Sequence, residues 1–187
     1  MALGENALLD WTKLKTYFPD LADAQQAYFE LLIEAASSTA NRYAKRKLKA
    51  RDLEVVSDGP GSSLLLLPEY PINSITSVFV DRLHVFGADT EITDYLRYDE
   101  EGILYLDREF PSGAQCIKVN YNGGYQTVPP DLEFAVVETT WWNRGRLQLG
   151  NIGTKSLRDP TGIGTDYELT VPVNAQRVFE EYRRNPA

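Results

Sequence analysis

One cysteine, one histidine and one methionine stand in a chain of 187 residues. With Cys116 alone, no intrachain disulfide forms, and a thiolate metal site would have to borrow its ligands. Its neighbours Ile117 and Val119 point to a strand, where a lone thiol packs as a small hydrophobe. Any Ser-His-Asp or Cys-His set would depend on His84, which sits in a turn-like stretch, and no Gly-x-Ser-x-Gly elbow accompanies it. Phosphate-binding glycine loops are missing too: the glycines of Gly150–Gly164 are dispersed, and Lys155-Ser156 lacks the required pattern before it. No apolar run approaches the ~18 residues of a membrane span. No basic segment followed by an apolar core opens the sequence, so synthesis in the cytoplasm is expected. Neither catalysis nor a cofactor is expected.

What is present fits an ordinary globular chain, with 43% hydrophobic and 25% charged residues. A chain of this length suffices for one domain with its own core. The net charge of −8 argues against a surface that grips a phosphate backbone throughout.

The fold reading is α+β: a helical bundle with an inserted small antiparallel sheet or barrel. Asp10 caps a short helix that Pro19 stops. A long helix follows over about 23–47, with Ala24, Ala27, Tyr28, Leu31, Leu32, Ala35, Thr39 and Tyr43 on one stripe that needs a packing partner. From Leu53 the texture changes to short runs of valine, isoleucine and tyrosine between Gly, Pro, Asn and Asp clusters. The strand candidates are 53–57, 63–67, 75–81, 95–98, 103–106 and 115–121. Pro129-Pro130-Asp131 then opens a middle helix, with Leu132, Ala135, Val136, Thr139, Thr140 and Asn143 at helical spacing. Residues 150–165 read as an extended loop without regular structure. Val173 to Arg184 forms a short C-terminal helix with Asn174 as its cap. The parts are a helical 1–52, an inserted β part 53–128, and a helical 129–187 with the long loop and a C-terminal arm.

Two charge concentrations stand out. Residues 81–109 hold nine acids against Arg82, Arg97 and Arg108, a net −6 within the chain's −8. They read as a solvated face, as a channel wall that repels DNA, or as complement to a basic neighbour. Calcium is a further option, although the spacing does not match the twelve-residue calcium loop. The basic run Arg42, Lys45, Arg46, Lys47, Lys49 and Arg51 falls near the end of the long helix, where cations favour the macrodipole. It reads as a helix-end or subunit-contact feature, with phosphate contact as the other option.

The order of Leu64–Leu67 with Pro68, Tyr70-Pro71, Ser74–Val78, Gly102–Leu106, Val119–Tyr125, Val128–Leu132 and Trp141–Arg146 resembles the head-to-tail connector, or head completion, proteins of tailed bacteriophages and gene transfer agents. The resemblance implies a structural virion protein and no enzyme. It implies a ring, of twelve copies, under a portal protein, with a neck or tail completion protein on the other side. DNA would pass through without sequence-specific contact, and no membrane is involved. It also implies that chain ends reach the portal, which makes Phe179, Tyr182, Arg183 and Arg184 the expected contacts; Arg42 and Arg46 of the basic run are further candidates for partner contact. The competing reading is a β-rich carbohydrate- or calcium-binding module on a helical stalk.

Overall fold

The computed structural model describes residues 3–148, 156–158, 164–166 and 171–183. The chain divides into two compact units, residues 1–45 with 128–183 and residues 46–127.

The helical unit begins with α1, Trp11–Tyr17, where the Asp10 carboxylate accepts from the Lys13 amide at 2.7 Å. That bond satisfies one of the amides a helix start leaves without a partner. A 3₁₀ turn, Asp23–Gln25, leads into α2, Gln26–Ala44. α2 ends at Lys45, whose backbone is left-handed at φ 56° and so cannot continue the helix. α3 spans Pro130–Gln148 and packs on α2. Its inward residues Leu132, Ala135, Val136, Thr139 and Thr140 are buried, as their spacing requires.

The stripe of α2 is phased differently from the sequence expectation. Phe29, Leu32, Ile33, Ala36, Ala40 and Ala44 are buried, whereas Ala24, Ala27, Tyr28, Leu31 and Ala35 face solvent. The choice follows packing volume: Phe29 and Ile33 fill the core that Trp11 and α3 enclose, and only one face of α2 can turn inward.

Between Gln148 and Val171 the short strands β7, Ser156–Arg158, and β8, Gly164–Asp166, pair antiparallel, which corrects the expectation of a wholly irregular loop. The C-terminal helix α3 packs against is α4, Val173–Glu181. Pro172 rather than Asn174 occupies its N-cap, without a side-chain hydrogen bond.

The β unit holds two three-stranded antiparallel sheets that do not close into a barrel. The first has the order β1-β6-β3, from β1, Arg51–Pro60, β3, Ile72–Val80, and β6, Ser112–Gly123. The second has the order β2-β5-β4, from β2, Leu64–Leu66, β4, Leu96–Tyr98, and β5, Ile103–Tyr105. Their shared core takes Leu65 and Leu104 from the short sheet and Val78, Ile117, Val119 and Tyr121 from the long one. Residues 46–50 belong to this unit: Lys49 bridges to Tyr125, and Gly124, at φ 106°, lies against the Lys49 backbone. Cys116 is buried in the same core, with its thiol directed at the Gly113 and Pro111 carbonyls.

Candidate partner-binding surfaces

Of the six residues expected to meet a partner, α4 and the residues after it carry four. Phe179 is fully buried in the helical unit, with its ring 6.3 Å from that of Tyr43. It anchors α4 by apolar burial and presents no surface of its own. Tyr182 caps the end of α4, and its hydroxyl hydrogen-bonds the Asp131 carboxylate, with oxygen separations of 2.7 and 2.9 Å. Arg183 is exposed beside it, and Arg184 lies outside the described residues.

The basic run does not form one surface. Arg42 and Lys45 are exposed at the end of α2. Arg46 is only 6% exposed in the β unit. Its guanidinium lies 3.7 Å from the Tyr70 ring centre and 5.6 Å from that of Tyr125, and it donates to the Tyr70 carbonyl. Such stacking is worth roughly 0.5–2 kcal/mol and fixes the side chain in place. Arg51 pairs with Glu69 at 3.1 Å, and Glu69 also accepts from the Lys47 amide at 3.2 Å. The Tyr121 hydroxyl accepts from the Glu69 amide at 3.1 Å. Arg46 and Arg51 therefore hold the β unit together.

The acidic segment is likewise distributed. Asp81 sits at the end of β3 and accepts from the amides of Leu83, Val85 and Phe86 at 2.7, 2.8 and 3.0 Å. These bonds, led by the Leu83 amide, favour the charged form and hold its carboxyl below the usual range. The loop thus fixed presents Leu83 and Val85 to solvent, while His84 reaches the Ala114 carbonyl at 3.1 Å. Asp94 pairs with Arg108 at 3.2 Å and Asp99 with Arg97 at 3.3 Å. Among the described residues no group of three or more His, Cys, Asp or Glu is arranged to hold a metal ion. The calcium reading finds no support in these positions.

An apolar groove of about 710 Å³ opens on the helical unit, lined by Phe18, Phe134, Trp141, Trp142 and Val178 with Asp131 and Glu138. Phe18 stacks on Trp141 at 4.2 Å, and the Arg144 guanidinium lies 4.3 Å from the same indole. Below it, Tyr17 donates to Glu133 at 2.7 Å. That bond, with burial adding to it, raises the phenol's pKa because it favours the protonated form. Trp142 is half-buried at the groove and is not a core residue. On the second sheet, Leu64, Leu66, Leu96 and Tyr98 are exposed. No position in the sequence reading marked that face, because Leu64 to Leu67 are four adjacent leucines whose run does not tell which of them turn outward.

A buried arginine is spent on internal stacking, two carboxylates of the acidic segment are held in ion pairs, and apolar side chains turn outward on helix and sheet. Such outer faces are suited to other macromolecules. The head completion protein family model matches residues 7–184, and the chain belongs to that family. The fold is shared with the neck of an empty gene transfer agent particle computed with C6 symmetry, at a TM-score of 0.65 and 14% identity over 100% of this chain and 94% of that one. It is shared also with the neck of the native particle computed with C12 symmetry and with the native virion. Each of these has a TM-score of 0.61 and 16% identity over 100% of this chain and 94% of the other. No curated protein sequence matches.

Proposed function

We propose that the protein forms a ring beneath the portal vertex of a tailed particle and joins the head to the next neck or tail component. Membership of the head completion family across residues 7–184 carries this reading. The structures that share the fold come from particle necks computed with C6 and C12 symmetry, which favours a ring, of twelve copies, here too. DNA passes through the ring without sequence-specific contact, in keeping with a net charge of −8 and with a basic run that is partly spent inside the β unit. One face of the ring meets the portal and the other a neck or tail completion protein. Tyr182, Arg183 and Arg184 make portal-side contacts, and Arg42 contacts a neighbouring copy. Phe179 acts by holding α4, at whose end Tyr182 and Arg183 lie, and Arg46 acts inside the β unit. The protein is made in the host cytoplasm and ends in the virion.

Inactivation of the gene tests the role. DNA-filled heads without tails are expected, and complementation with the intact gene restores tailed particles. Normal yields of tailed, infectious or transducing particles without the protein would overturn the reading.

A further inference from the structure

The ring reading leaves open which faces of neighbouring copies meet, and two outward faces of this chain match each other. In the second sheet Leu64 pairs with Tyr105 and Tyr105 with Leu96, while Leu66 pairs with Ile103 and Ile103 with Tyr98. Residues directly opposite on neighbouring strands share a face. The outer face of this sheet is therefore two cross-strand rows of three apolar side chains each. Leu64, Leu66, Leu96 and Tyr98 are 45–60% exposed, so the described residues leave this face largely open. Singly exposed leucines are ordinary, but a contiguous apolar face of this kind marks an interaction surface.

The second face is the outer stripe of α2. Tyr28 and Leu31 are 37% and 52% exposed, and Ala35 is exposed one turn further on. Arg42 and Lys45 extend the same stripe at its C-terminal end. The helix thus has an apolar first half and a cationic end. The sheet face is bordered by the exposed acids Glu100, Glu101 and Asp107, while the nearby exposed Arg97 and Arg108 are paired with Asp99 and Asp94.

Resting on the ring reading, we propose that the outer face of the second sheet in one copy docks on the outer stripe of α2 in the next copy. Charge selects the pairing. Sheet against sheet would set acidic borders together, and helix against antiparallel helix would set Arg42 and Lys45 on an apolar half with no countercharge, whereas sheet against helix places acids beside cations. A contact between two different faces of one chain is heterologous, and such contacts close into rings when the rotation permits.

Engineered disulfide capture tests the contact in assembled particles. Cys116 is buried, so the background is low. Particles carrying Leu31→Cys together with Leu96→Cys are oxidised and run without reductant. A ladder of covalent multimers is expected from the double variant, and monomers only from each single variant. Ala35→Cys with Leu66→Cys is a second pair, read in the same way, if the first is not incorporated. Normal incorporation with no ladder from either pair would overturn the sheet-to-helix contact and leave the connector role standing. Dimers from Leu96→Cys alone would overturn it in favour of a two-fold sheet contact. Absence of the wild-type protein from particles would overturn the connector reading, and this contact with it.

Discussion

Replacing Phe179 by alanine separates a detachable C-terminal arm from a built-in helix. The ring is fully buried, Ala175 one turn earlier is also at 0% exposure, and α4 packs on both α2 and α3. Truncating a buried phenylalanine removes its transfer free energy and leaves a cavity, a cost of roughly 3–5 kcal/mol. For a chain of this size each kcal/mol moves the melting temperature by about 2–4 °C, so a fall of roughly 6–20 °C is expected. Differential scanning calorimetry of the purified variant reads this directly, with Trp142→Ala as the comparison. Trp142 is only half-buried at the groove, and its loss should cost no more than about 2 kcal/mol. The reasoning fails if Phe179→Ala melts with the wild type, or if Trp142→Ala is the more damaging of the two. The same logic applies to truncation: deletion from Val173 removes Ala175 and Phe179 and should lower the melting temperature.

Two glycines give opposite expectations. An alanine Cβ at Gly124 would stand 2.8 Å from the Lys49 carbonyl and 2.9 Å from the Ala50 amide nitrogen, at φ 106°, so Gly124→Ala should lose about 1–3 kcal/mol in denaturant titration. At Gly145, inside α3, a Cβ meets nothing within 4 Å, and Gly145→Ala should gain about 0.5–1 kcal/mol in the same assay. The Asp81 loop should be pH-sensitive with a definite sign. Its folded pKa is lowered, so the stabilisation is complete above the unfolded value of about 3.9 and is lost as pH falls through the folded value. Amide exchange at Leu83, Val85 and Phe86, corrected for intrinsic rates, should therefore show protection that falls only in acid, and Asp81→Asn should reduce it already at neutral pH. Unchanged protection in the variant would show that the carboxylate does not hold the loop.

Elements with a strong local signal were legible in the sequence. Pro129-Pro130-Asp131 and the spacing from Leu132 to Thr140 marked α3 and its buried face, and Asp10 marked the start of α1. The β insert was legible as short strands, but its division into two sheets depends on pairings between residues far apart, such as Val55 with Val119. The face of α2 was misread because small residues line both sides. Ala36, Ala40 and Ala44 point inward while Ala24, Ala27 and Ala35 point outward, and only the bulk of Phe29 and Ile33 decides between them. Arg46 was grouped with surface cations because its companions Tyr70 and Tyr125 lie 24 and 79 residues away. For the contact surfaces the obstacle is more general: a face that is covered only by another copy carries the pattern of a core without a partner in its own chain.

The most direct test of the central claim is cryo-electron microscopy of a portal assembly with and without this protein added. The account predicts a ring of added density beneath the portal, into which the two units fit as separate bodies. An unchanged portal map, with the protein remaining free at saturating concentration, would contradict it.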